Sequence, residues 1–399
     1  MVPAVDTSTN RPSIVGRVAA RWPLATAAIL ATLWLPALGW GFSSDDFDVL
    51  GITGWELLDD PFAFSARPTE LLTYAAVPTQ AFANRTVTLL IYLACIGLMY
   101  RLCRRMALDN WSTFVALTAF FHPAFLWSVT SIGQRPSLLV TFFLLASITA
   151  TRTSPKLALI AMCSATRTPY IFQNLVFSWQ FARRRQRIAS TVPVLYMCVF
   201  GVAGYVAYYN HAASEHTIAS AYVPLAVSLP LRMAKLIEGI VYVFAPIPMF
   251  AVARWAPLAA FVVYLSLWFV VARSLMPSRT VLREHGWIPA MALTMCIPFV
   301  FATEVRLTMD AAVLTFLTVA CFAQWRRAGK IATVGILALN LTGIGLNYTV
   351  FRSAQYDLSA GRIAKDYSQP AYVYQAWREH TRQRILARLG VSAPVRTPE

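Results

Sequence analysis

The chain has 399 residues, of which 57% are hydrophobic and only 13% charged, and its mean hydropathy is +0.55. A surface facing water needs roughly 25% charged residues, so this composition excludes soluble domains, a disordered chain and a disulfide-stapled secreted module, and points to a bilayer. The net charge of +16, from 34 basic and 18 acidic residues, is not a nucleic-acid footprint, because it is not gathered on one stripe. The basic residues fall in short clusters between apolar runs: Arg101/Arg104/Arg105, Arg183–Arg185 with Arg187, and Arg326/Arg327/Lys330. That is the pattern of cytoplasmic loops that orient a polytopic protein. Only Lys156, Lys235, Lys330 and Lys365 are lysines, a bias that suggests a GC-rich bacterial source. Cys95, Cys103, Cys163, Cys198, Cys296 and Cys321 sit in or beside apolar runs without a Cys-x-x-Cys spacing or a nearby His, and read as packing residues.

In chain order, residues 1–21 form a basic cytoplasmic segment, and the apolar run Trp22 to Phe42 reads as an uncleaved first helix with its N-terminus inside. A long loop follows, from about Ser43 to Asn84, on the outer face. Further spans are expected at about 86–102, 111–130, 137–150, 188–209, 255–273, 287–303, 308–325 and 331–350, each near the ~20 residues a bilayer requires. Leu157–Ala182 is broken at Arg167-Thr168-Pro169 and flanked by basic clusters, so it reads as two half-length helices entering and leaving on the cytoplasmic side. Pro230–Phe250, interrupted by Arg232, Lys235, Glu238 and prolines, reads as a partly inserted segment. The fold class is therefore all-α: a polytopic membrane protein of about 11 transmembrane helices over residues 22–350, with juxtamembrane helices in the loop at 43–84. The tail, 351–399, alternates Trp377, Ile385, Leu386 and Leu389 with Arg378, Arg382, Arg384 and Arg388, and suggests an amphipathic helix on anionic lipid.

Six of the 18 acids, Asp45, Asp46, Asp48, Glu56, Asp59 and Asp60, lie within the first loop. The last three precede Pro61 and fit a solvated turn. Asp45-Asp46 comes directly off the first helix, among aromatic and small residues at the bilayer edge. Neighbouring carboxylates and partial burial both raise a carboxyl pKa, which prepares a general base. Asn84-Arg85-Thr86 and Asn347-Tyr348-Thr349 fit a glycosylation pattern but carry no weight in a bacterial membrane protein.

Three short segments share a context. They are Asp45-Asp46-Phe47 followed by Ala66-Arg67-Pro68-Thr69-Glu70-Leu71-Leu72-Thr73-Tyr74; Phe120-Phe121-His122-Pro123-Ala124-Phe125 continuing to Ser131-Ile132-Gly133-Gln134-Arg135-Pro136-Ser137-Leu138-Leu139; and the break at Arg167-Thr168-Pro169-Tyr170. In order and spacing they resemble the GT-C glycosyltransferases, above all the protein O-mannosyltransferases and the TMTC-type enzymes, over roughly the first 190 residues. Gln134 between Gly133 and Arg135, the lack of an acid after that Arg, and a tail too short for tetratricopeptide repeats depart from the family pattern.

The resemblance implies an inverting transfer of a sugar from a polyprenyl-phosphate donor to an acceptor hydroxyl on a surface glycan, protein or lipid, at the periplasmic face of a bacterial inner membrane. Asp45 would be the base, with Asp46 orienting it or, as in some relatives, binding a divalent cation. Arg67, Arg135, Arg167 and Arg306 are candidates to hold the donor phosphate, because a planar guanidinium binds phosphate bidentately. Each of them also fits an interfacial arginine, and Arg306 has Glu304 and Asp310 near it as ion-pair candidates. His122 completes the candidate list, though in an apolar helix it equally fits a hydrogen-bonded packing residue. No metal or other cofactor is expected and no nucleic acid; the partners are the lipid-linked sugar, the hydroxyl acceptor and the bilayer. A transporter or flippase would place its charges at mid-membrane within internal repeats, and none is visible here. An O-antigen polymerase or ligase would keep its Arg-rich loop late in the chain.

Overall fold

A computed structural model describes residues 21–39, 69, 73, 81–130, 135–166, 171–213, 229–251, 253, 255–275, 278–300 and 308–353. Among them all regular structure is helical. Three stretches, Trp22–Gly39, Phe82–Arg105 and Arg327–Tyr348, are long and apolar enough to cross a membrane, and five shorter apolar helices accompany them. Large apolar side chains face outward along several of these helices, among them Ile29, Ile188, Val202, Leu229 and Leu293. Water would penalise such a surface, whereas lipid does not.

The helices, in order, are α1 (Trp22–Ala31), α2 (Ala81–Arg105), α3 (Asn110–Thr118), α4 (Phe125–Thr130), α5 (Arg135–Thr149), α6 (Thr153–Thr166), α7 (Gln173–Arg183), α8 (Arg187–Ala213), α9 (Leu229–Phe244), α10 (Ala256–Ala272), α11 (Arg279–His285), α12 (Trp287–Thr294), α13 (Met309–Phe322) and α14 (Arg327–Ser353). Their positions follow the apolar runs of the sequence to within a few residues. Local chemistry accounts for the boundaries. Asp109 caps α3 by accepting the Ser112 backbone N–H at 2.8 Å. Pro23 opens α1 and Pro257 opens α10, each where a missing N–H costs nothing. Pro123 ends the α3 path: it disfavours helical backbone at the preceding residue, and His122 is extended at φ −68°, ψ 136°. One apolar run therefore becomes two helices, α3 and α4, joined by a 3₁₀ turn at Ala119–Phe121 and the His-Pro step.

α2 and α5 form an antiparallel pair. Arg135, opening α5, reaches Asn84 and Thr88 in the first turns of α2, while Arg105, closing α2, donates to the carbonyl of Thr149 at 2.5 Å. These contacts define two ends of the bundle, an Arg135 end and an Arg105 end, about 37 Å apart along the 25 residues of α2.

α6 and α7 are the expected half-length helices, of 14 and 11 residues. They are tied at their facing ends by Asn174 donating to Ser164 Oγ at 2.9 Å and Gln173 donating to Cys163 Sγ at 2.8 Å. α9 buries Leu231, Lys235, Gly239, Tyr242 and Val243, spaced for one helical face. It lies against the 3₁₀ turn Ile297–Val300 and against α13. At its end the Phe244 carbonyl accepts the Trp268 indole N–H at 2.6 Å, and Ile247–Phe250 turns the chain back onto α10 and α14.

The interior is aromatic and tightly filled. Trp34, Tyr92, Phe120 and Phe125 are all nearly inaccessible, with Tyr92 edge-on to each of the other three. Buried hydroxyls donate back to carbonyls three or four residues earlier, as Thr118, Thr130, Ser164 and Thr333 do. A low-dielectric interior demands such satisfaction of its polar groups.

Candidate functional site

The most charged part of this interior is the Arg135 end. Arg135 is wholly inaccessible to solvent and uses all three guanidinium nitrogens. Nε donates to Thr88 Oγ1 at 3.1 Å, Nη1 to the Thr73 carbonyl at 3.2 Å, and Nη2 to both the carbonyl and the Oδ1 of Asn84, at 3.1 and 2.7 Å. The Thr88 hydroxyl in turn donates to the Asn84 carbonyl at 2.9 Å. Beside Asn84 in the chain, Arg85 is equally buried and donates to the carbonyl of Thr130, the last residue of α4. Two guanidinium groups thus converge where α2 begins, α4 ends and α5 begins. Lysine is a poor substitute at Arg135, since a compact ammonium cannot reproduce the planar fork that reaches both Thr73 in the first loop and Asn84 and Thr88 on α2.

Six residues further along α5, the Thr141 hydroxyl donates to Asp310 Oδ1 at 2.5 Å. Asp310 lies in the first turn of α13 and is fully buried. Arg135 and Thr141 therefore carry polar contacts along α5 from one end of the bundle toward its middle.

His122 occupies a different place. It is buried, and its Nδ1 accepts the Ala124 backbone N–H at 3.2 Å, satisfying a donor that the His-Pro break releases. Its Nε2 has no hydrogen-bond partner among the described residues, and the backbone of Tyr242 and Val243 in α9 lies near the ring. No hydrogen bond joins it to Arg135, and its geometry is that of a residue serving the break in its own helix.

Of the residues singled out in the sequence, Asp45, Asp46, Arg67, Arg167 and Arg306 lie outside the described residues. Arg135 and His122 are described and are not brought together. Asn84, Arg85 and Thr88 are the participants that sequence reasoning missed. The Asn-Arg-Thr triplet reads as a glycosylation pattern, and the signal overlooked was an intramembrane Arg at the start of a long apolar helix. Among the described residues no three of His, Cys, Asp or Glu gather as metal ligands would.

No protein-family model, curated protein or solved structure matches this chain. What bears on function is therefore the chemistry of its own residues and the short motifs they form.

Proposed function

We propose that the chain is a glycosyltransferase of the GT-C kind, moving a sugar with inversion from a polyprenyl phosphate to an acceptor hydroxyl at the outer face of a bacterial inner membrane. The observation that supports this reading best is the hydrogen bond from Arg135 to the Thr73 carbonyl. Thr73 belongs to the segment Ala66–Tyr74 and Arg135 to the segment Ser131–Leu139. These are two of the stretches that carry the resemblance, 62 residues apart in sequence.

In this reading a carboxylate of the first loop, Asp45, takes the proton of the acceptor hydroxyl. The freed oxygen bonds to the anomeric carbon as the bond from that carbon to the phosphate oxygen breaks, and the polyprenyl phosphate departs with the electron pair. Arg85 and Arg135 are set beforehand at the end of the bundle nearest that loop in the chain. Both groups are buried and Arg135 has all three nitrogens engaged by the protein, so in this reading they act through space, as fixed positive charge, on the charge developing at the phosphate. Asp46 orients Asp45, and the chemistry calls for no cofactor.

The test is complementation of a deletion strain with wild type, Asp45→Asn or Asp46→Asn, reading the composition of the surface glycan and the membrane level of each variant. Removing a general base costs ~10²–10⁴ in rate, enough to erase a sugar from the glycan while the protein accumulates normally. Full restoration by both Asn variants would remove the acidic pair from the chemistry and leave a transporter or polymerase reading in its place.

A further inference from the structure

The bundle's other end holds a cavity of about 650 Å³, bounded by the close of α5, the start of α6, the end of α7, α11 and the start of α12. Its charged lining is Lys156, Arg183, Arg184, Arg279 and Arg283, against the single carboxylate of Glu284. Lys156 is 7% exposed and forms the floor, donating to Gln180 Oε1 at 3.1 Å with its ammonium 5.3 Å from the Phe177 ring centre and 5.5 Å from that of Phe181. The four arginines are exposed and form the walls. Among the described residues, Arg184, Arg279 and Arg283 have no ion-pair or side-chain hydrogen-bond partner.

The chain builds this concentration of charge deliberately. Arg185, at φ 60°, adopts a left-handed conformation that closes α7, and the Gln186 side chain ties the turn to Thr153 at the start of α6. Ser278 caps α11 by accepting the Val281 N–H at 3.2 Å, and Arg279 and Arg283 then stand one turn apart on that helix. Trp179 and Trp287 also line the cavity, and the Arg183 guanidinium lies 5.6 Å from the Trp179 ring centre. Indoles and arginines in this combination belong at the boundary between headgroups and acyl chains.

We infer that this cavity is a binding site for the phosphate-bearing headgroup of an anionic membrane lipid. The basic loops assign this end to the cytoplasmic leaflet, where such lipids present phosphate at the depth of an interfacial arginine cluster. The volume accommodates a headgroup, and the buried lysine with exposed arginines around it supplies several converging donors. The site is independent of the proposed transfer chemistry at the Arg135 end.

The experiment uses the full chain, purified in a neutral detergent, with lipid retention read by native mass spectrometry. Wild type is offered tetraoleoyl cardiolipin or dioleoyl phosphatidylcholine, and retains cardiolipin preferentially. Arg279→Gln/Arg283→Gln weakens cardiolipin retention by about fivefold per arginine, roughly 25-fold for the pair. Arg101→Gln/Arg104→Gln removes the same charge at the same end outside the cavity and retains wild-type binding. Arg279→Lys/Arg283→Lys, which keeps the charge, restores most of the retention and so separates ligand loss from misfolding. Equal retention of the two lipids by wild type, or equal loss in the two Gln pairs, overturns the proposal. Complete displacement of cardiolipin by millimolar inorganic phosphate also overturns it, by assigning the cavity to a soluble phosphate compound.

Discussion

At the residue scale the decisive group is Arg135. Its four hydrogen bonds to Thr73, Asn84 and Thr88 join the first-loop segment, α2 and α5 through one planar fork. Arg135→Lys keeps the charge but leaves at least two of these buried acceptors unsatisfied. Each lost bond to a charged donor is worth ~1.5–3 kcal/mol, so the variant is expected to lose about 3 kcal/mol or more of stability. A thermal midpoint in detergent, lowered by several degrees against wild type, checks this. An unchanged midpoint would mean that the fork is dispensable. His122 makes a different set of contacts. As a substrate-binding candidate it equally fits a hydrogen-bonded packing residue, and its Nδ1 accepts the Ala124 N–H beside the helix break that the next residue, Pro123, creates.

At the element scale, packing between helices depends on how closely backbones approach, since lipid removes most of the hydrophobic drive that water supplies. Gly239 on α9 is the tightest approach of this kind. A Cβ built there would lie 2.3 Å from the Phe299 ring and 2.7 Å from the Phe299 Cβ, so the whole side chain would have to move. Phe299 is itself fully buried. Gly239→Ala is therefore expected to destabilise by about 1–3 kcal/mol through overpacking. Gly345 on α14 makes the control, because nothing lies within 4 Å of its would-be Cβ. Gly345→Ala is expected to stabilise by roughly 0.5–1 kcal/mol through helix propensity alone. Opposite shifts in thermal midpoint for two identical substitutions would establish the α9 contact. Shifts of the same sign would refute it.

At the scale of the whole molecule, the bundle is polarised. α2 and α5 hold Arg85 and Arg135 at one end, and the cavity containing Lys156, Arg279 and Arg283 lies at the other. The proposed orientation, argued from the positive-inside bias, puts the cavity end in the cytoplasm and the Arg135 end outside. Alkaline phosphatase, which is active only outside the cytoplasm, is accordingly expected to be inactive when fused after Arg185 or Ser278 and active when fused after His216. Activity after Arg185 would invert the orientation and place the proposed transfer site on the cytoplasmic side.

The helical class and the apolar runs that hold most of the described helices were legible in the sequence, because a bilayer asks each span for about 20 apolar residues with backbone hydrogen bonds made internally. The count of about 11 spans rests on the sequence alone, since three described stretches are long and apolar enough to cross and the run at 111–130 is broken at His122-Pro123. The paired short helices α6 and α7 were legible for the same reason, since a proline and flanking basic clusters leave no other solution. Arg135 was legible as a charge at the head of an apolar run. Its partners were not, because Asn84 and Thr88 lie some 50 residues away and nothing local marks them. Only the tertiary structure decides which distant polar groups satisfy a buried charge, since that depends on which two helices pack and in what register. The same holds for the basic cavity. Its arginines come from the end of α7 and from α11, far apart in the sequence, and only the packing of α5, α6, α7, α11 and α12 turns them into one concave, basic surface.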